Sequence, residues 1–188
     1  MASIDKGLMT GFNSTHHLSS NGQGSDLQTI KEEQLQYITF TIGREEYGVD
    51  IMVVREIKAW SETTHLPNTP EFMRGVLNLR GLIVPIFDLR CRFSMGLTEA
   101  TKMHVVIIVQ VGKRLVGILV DTVSDIISVG KSAIQEIPRM DRNIDDEYLS
   151  GLVTIEERMV ALLDVELLFN EKAIETGVAF GETAVALK

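Results

Sequence analysis

The 188 residues suffice for one ordinary domain or two small units on a shared core, and a hydrophobic content of 45% supplies that core without disulfide or metal. A net charge of −8 argues against nucleic-acid backbones and anionic lipid surfaces as principal partners. Cys91 is the single cysteine, which excludes a disulfide framework and a thiolate zinc cluster.

Residues 1–34 differ in composition from the rest. The stretch NSTHHLSSNGQGSD is rich in Ser, Asn and Gly and offers almost nothing to bury, which predicts a disordered tail. Asn13-Ser14-Thr15 matches a glycosylation acceptor by chance, and His16 and His17 are tail residues without fixed geometry. No apolar leader opens the chain, and no apolar run approaches the roughly 18 residues needed to span a bilayer. A soluble cytoplasmic protein, with no membrane insertion, is the expectation.

From Leu35 the periodicity is two: Ile38, Phe40 and Ile42 alternate with Tyr37, Thr39 and Thr41. Residues 43–46 form a turn and YGVD returns, which predicts a hairpin. The shape recurs three times. GVLNLR turns at Gly81 into LIVPIFD, MHVVIIVQ turns at Gly112-Lys113-Arg114 into LVGILVD, and GLVTIEE turns at Arg158 into MVALLD. The return strands end at Asp50, Asp88, Asp121 and Asp164, positions suited to helix N-caps or tight turns.

Short, closely spaced, Val/Ile-rich strands without long intervening helices predict antiparallel barrels or a sandwich. Pro85 places its strand at an edge or a bulge. FSMGLTEATK, residues 93–102, is the longest break between hairpins and is read as the seam between two halves. Val165, Leu168 and Phe169 lie at helical spacing, so the ordered chain is expected to end in a helix.

The residues offer catalysis no constellation. His65 precedes a turn, His104 opens an apolar strand, and Cys91 reads as a small core residue. GxGxxG after a strand, a P-loop and HExxH are all missing, and neither a metal site nor a cofactor is expected. Carboxylate chemistry at the four aspartates is the remaining enzymatic alternative.

RGVLNLRGLIVPIFDLR, residues 74–90, threads three arginines through a strongly apolar hairpin. Within TPEFMRGVLNLRGLIVPIFDLR it resembles the signature of CheW, the coupling-protein family of bacterial chemotaxis arrays. EEYGVDIMVVREI, VGILVDTVSDI and YLSGLV resemble further stretches of that family, in order and at the right distances. The resemblance implies mainly β structure: two SH3-like five-stranded antiparallel barrels sharing a hydrophobic core, with short helices and a C-terminal helix. It implies residues 35–170 as the CheW-like domain, 1–34 and 171–188 as tails, and the two barrel halves meeting near 93–102.

The resemblance also implies a non-catalytic adaptor that joins chemoreceptor cytoplasmic tips to the regulatory domain of the histidine kinase CheA. Other copies of the protein in rings, and recruitment to membrane-associated arrays, belong to the same picture. Ile51, Val54, Glu56 and Arg80 match the receptor-contact positions; kinase contacts in the family largely involve barrel edges, for which Val105, Gly117 and Ile126 are the candidates here. Gly75 and Gly81 flank the signature strand, where positive φ or close backbone approach requires glycine. Ile51 and Val54 would serve equally as core, and Arg80 as an internal partner of Glu56. Alternatives are a regulatory module of a non-flagellar chemosensory pathway and a CheW-like module fused to a receiver domain. The short stretch after Asn170 sets the chain against the second, since a receiver needs roughly 120 residues.

If residues before about Gln34 bury nothing, limited proteolysis will trim them and leave the thermal midpoint unchanged. A fall of more than a few degrees after trimming would show a packed tail.

Overall fold

The computed structural model describes residues 33–137 and 148–169. The expected tails, with His16, His17 and the Asn13 triplet, lie outside the described residues, apart from Glu33 and from Gln34, which already opens the first strand.

Among the described residues, ten strands and two one-turn α-helices follow in chain order. They are β1 (Gln34–Ile42), β2 (Glu45–Asp50), β3 (Val54–Ala59), β4 (Met73–Leu79), β5 (Leu82–Asp88), α1 (Leu89–Arg92), β6 (Val105–Val111), β7 (Arg114–Val120), β8 (Thr122–Gly130), β9 (Leu149–Ile155), β10 (Arg158–Leu163) and α2 (Val165–Leu168). The four expected hairpins are β1–β2, β4–β5, β6–β7 and β9–β10. The lone strands β3 and β8 have no hairpin partner to announce them.

Two five-stranded sheets result, ordered β8-β1-β2-β10-β9 and β3-β6-β7-β5-β4. Hydrogen bonds of 2.9 Å in both directions join Thr64, beyond β3, to Val76 of β4. Gln135, beyond β8, likewise joins Leu152 of β9 at 2.8 and 2.9 Å. These single bridges bring the edges of each sheet together in the SH3-like manner. The expectation of wholly antiparallel barrels needs one amendment per sheet, because β2 runs parallel to β10 and β5 to β7. Those neighbours come from different hairpins, so no tight turn dictates an antiparallel pairing.

The same series of hairpin, lone strand, hairpin and Asp-capped helix occurs twice, in residues 34–93 and 105–169. Residues 93–102 therefore separate two repeats, but they do not separate the barrels as expected. They join β5 to β6, two strands of the same sheet. The chain changes sheets between β2 and β3 and between β7 and β8, so each sheet draws strands from both repeats. A break between hairpins in the chain is therefore not a boundary between sheets in space.

Burial follows this interleaving. Ile38, Phe40, Val49, Phe87, Ile107, Ile118, Leu163 and Phe169 belong to one core built from both sheets. Val129, Val153, Val160 and Leu162 fill the first sheet's own interior, and Val84, Ile86, Val106 and Ile108 the second's. β6 is thus buried on both faces, with alternate residues in different cores. Pro85 sits one residue before the β5–β7 ladder begins at Ile86, so this stretch of β5 has a neighbour on one side only. That half-edge position tolerates a residue without an N–H.

Asp50, Asp88 and Asp164 are caps, accepting from the backbone N–H of Met52, Cys91, and Glu166 and Leu167. Asp121 departs from the series because β8 follows it directly. The C-terminal helix is present as α2, with Val165 and Leu168 buried as their spacing requires.

Ile107→Asp is expected to abolish cooperative unfolding. The residue is fully buried, and an unpaired buried charge costs more than about 4 kcal/mol. A normal melting curve for this variant would contradict the position of β6.

Candidate functional site

The arginine-bearing hairpin is closed by a two-residue loop. Leu79 pairs with Leu82, leaving Arg80 and Gly81 between them at φ +53° and +89°. Two successive positive φ values are the requirement of a type I′ turn, whose twist matches that of the flanking strands. Asn78 Oδ1 accepts the Gly81 N–H at 2.8 Å. Asn, Arg and Gly in NLRG thus have distinct tasks: the first anchors the turn, the last supplies its geometry, and the second is held at the apex. A non-glycine residue in this conformation stores on the order of 1 kcal/mol.

Glu56 comes from the opposite edge of the same sheet, on β3. Curling of the sheet brings its carboxylate 3.2 Å from Arg80 Nη2. The arginine side chain is nevertheless 82% exposed, against 29% for the glutamate. An ion pair this open contributes at most about 1 kcal/mol. Arg80 therefore pairs internally with Glu56 and still projects into solvent.

Gly75 begins the same hairpin at φ +117°, and a Cβ there would collide with the Thr64 carbonyl. It is required by close approach as well as by dihedral, at the bridge that closes the barrel. Gly81 is required by its dihedral alone, since nothing lies within 4 Å of its Cβ position.

Ile51 opens a one-turn 3₁₀ helix between β2 and β3 and Val54 follows it, both half-buried against the shared core. Between them Met52 is 75% exposed. Sequence reasoning missed Met52, because a methionine within IMVV carries no sign of facing outward.

The candidates for kinase contacts do not form one surface. Val105 is half-buried at the start of β6, and Ile126 is 54% exposed on β8, an edge strand of the other sheet. Gly117 requires correction. It is buried in β7, and a Cβ there would strike Ile86 of the parallel neighbour β5. Its role is to let β7 and β5 approach, and it presents no surface to a partner.

A second polar cluster lies where the chain passes from β7 to β8. Asp121 accepts from Arg90 of α1 and, at 2.7 Å, from the Gly43 N–H of the β1–β2 turn. His104 Nε2 lies 3.9 Å from its other oxygen. Burial alone would raise the Asp121 pKa, but the Arg90 and Gly43 hydrogen bonds and the Arg90 and His104 charges outweigh it. The carboxyl is held below its ordinary 3.8. His104 is a satisfied strand-edge residue, its Nδ1 accepting the Thr101 N–H at 3.1 Å.

These groups are structurally engaged. Asp88 is buried and accepts from the Thr98 hydroxyl at 2.7 Å and the Thr98 N–H at 2.9 Å. Burial, and then the charges of Asp88 and Glu71, push the Cys91 thiol up and away from the reactive thiolate. A groove of about 750 Å³ on the first sheet includes Tyr47, Phe93, Leu149 and Met159 in its lining. Of its carboxylates, Glu45 accepts from Tyr47 and Glu46 from Arg158. Among the described residues no three His, Cys, Asp or Glu side chains are grouped to hold a metal, and no helix is long and apolar enough to cross a membrane.

The CheW-like domain profile matches residues 36–173, which spans both barrels and the Arg80 hairpin. The chain belongs to the CheW-like family. It is 43% identical over 154 residues to the chemotaxis protein CheW of Klebsiella aerogenes, covering 81% of this chain and 91% of that one. It is 39% identical over 149 residues to a probable chemotaxis protein CheW of Rhizobium etli, covering 79% and 96%. The crystal structure of the scaffolding protein TtCheW from Thermoanaerobacter tengcongensis superposes with a TM-score of 0.69 at 30% identity, covering 75% of this chain and 96% of that one. The CheW-like fold, mainly β with two five-stranded sheets, is thus shared with a solved relative.

Arg90→Met is expected to destabilise the protein by about 1–3 kcal/mol at neutral pH, by leaving Asp121 under-paired. Because the folded-state pKa of Asp121 is depressed, its contribution is present above the ordinary carboxyl value and lost as pH falls. The gap between wild type and variant should therefore be full at pH 7 and narrow below about pH 4. Denaturant melts across that range check the sign.

Proposed function

We propose that this chain is a non-catalytic adaptor coupling chemoreceptor cytoplasmic tips to the regulatory domain of the histidine kinase CheA. On this reading it is a cytoplasmic protein recruited to membrane-associated arrays, where it also joins other copies in rings. The observation that carries the proposal is the Arg80 apex. A permanently charged, bidentate-capable side chain is fixed on a strained two-residue turn, steadied by Glu56 and left exposed. Such an arrangement suits a protein partner, since arginine at interfaces is a frequent hot spot.

Met52 joins Ile51, Val54, Glu56 and Arg80 as a receptor-contact candidate, because it is the most exposed apolar residue of its segment. On the kinase side Ile126 is the strongest candidate, with Val105 accessible only in part and Gly117 withdrawn to a structural role.

Arg80→Ala should keep the fold within about 1 kcal/mol, since the lost ion pair is open to solvent. Its affinity for a soluble receptor-tip fragment should fall by about 2 kcal/mol or more, roughly thirtyfold. Calorimetric melts beside titration binding test both halves of the statement. Undiminished binding and kinase activation by the folded variant would remove Arg80 from the interface.

A further inference from the structure

The two repeats depend on each other for every strand ladder except their own hairpins. β1 pairs with β8, β2 with β10, β3 with β6 and β5 with β7, and each of these ladders joins residues 34–93 to residues 105–169. In neither strand order do more than two neighbours come from one repeat. An isolated two-stranded hairpin is marginally stable at best, so one repeat has no sheet without the other.

One covalent connection joins the repeats, residues 94–104. Its first part is fastened to the first repeat, with Thr98 hydrogen-bonded to buried Asp88 and its carbonyl accepting from Arg74 at 2.8 Å. Its last residue, His104, accepts the Trp60 N–H at 2.8 Å. Between them Glu99 and residues 101–103 are exposed, Met103 at 81%. The Thr101–His104 turn would be given up if this stretch straightened, while the four ladders would be kept.

We propose that two copies of this chain exchange repeats. Residues 34–93 of one copy complete both barrels with residues 105–169 of the other, and Glu99–Met103 straightens as the hinge. A second copy offers the same four ladders as the chain's own second repeat, so the exchanged dimer loses only the contacts of the hinge residues, the Thr101–His104 turn and the packing of Ala100 on the second sheet's core. The tether keeps the chain's own repeats at an effective concentration on the order of millimolar, so the monomer prevails when dilute chains fold. Exchange arises when chains refold together at high concentration. Glu56 and Arg80 both lie in the first repeat, so each exchanged dimer carries two intact copies of that apex. The exchange itself does not depend on what the apex binds.

Two full-length variants test it. Phe40→Asp disables the first repeat and Ile107→Asp the second, both residues being fully buried. Each variant refolded alone should remain unfolded. Refolded together in equal amounts at high concentration, they should yield a two-chain species with a cooperative melt near the wild-type midpoint. In that species the undamaged repeats of the two chains are paired with each other. A mixture that stays unfolded where wild type refolds would overturn the proposal. So would a native melt from either variant alone, because its damaged repeat would then be dispensable.

Discussion

Each five-stranded sheet closes only when hairpins from one repeat find their neighbours in the other, and this mutual dependence governs the rest of the molecule. It explains why one large core spans both sheets while two smaller clusters fill the individual barrels. It also explains the glycine in β7. Parallel alignment with β5 sets Ile86 beside Gly117, where a Cβ would strike the Ile86 Cδ1 and force that side chain to shift. Folding of either barrel is therefore coupled to folding of the other, which favours a single cooperative transition.

The polar groups fasten what the strands have placed. Asp88 holds the inter-repeat connection and the start of α1 from a fully buried position, with all its contacts drawn from neighbouring donors. Asp121 ties α1 to the β1–β2 turn at one of the crossings between sheets. Carboxylates with this many donors fix the geometry of the segments around them. The four aspartates that end return strands thus divide three to one: three cap helical turns, and Asp121 bridges elements from both sheets.

Arg80 depends on the curled sheet for its partner. The turn that strains its backbone is local, but the carboxylate beside it arrives from the far edge of the sheet. The result is an exposed cation on a turn of fixed backbone geometry. Membership of the CheW-like family gives this hairpin its context.

Much of this was legible from residue order alone. Alternation of two marked all four hairpins, with glycine-centred turns in three of them, and three of the aspartate caps followed from position, because these signals act within a few residues. The NLRG turn was likewise visible as a hairpin tip. What residue order left open were the lone strands β3 and β8, the parallel pairings, the interleaving of repeats and the burial of Gly117. Each of these rests on contacts between segments far apart in the chain, where any apolar strand is chemically acceptable to any other. Only shape, register and the meeting of sheet edges select among them, and those are properties of the assembled fold.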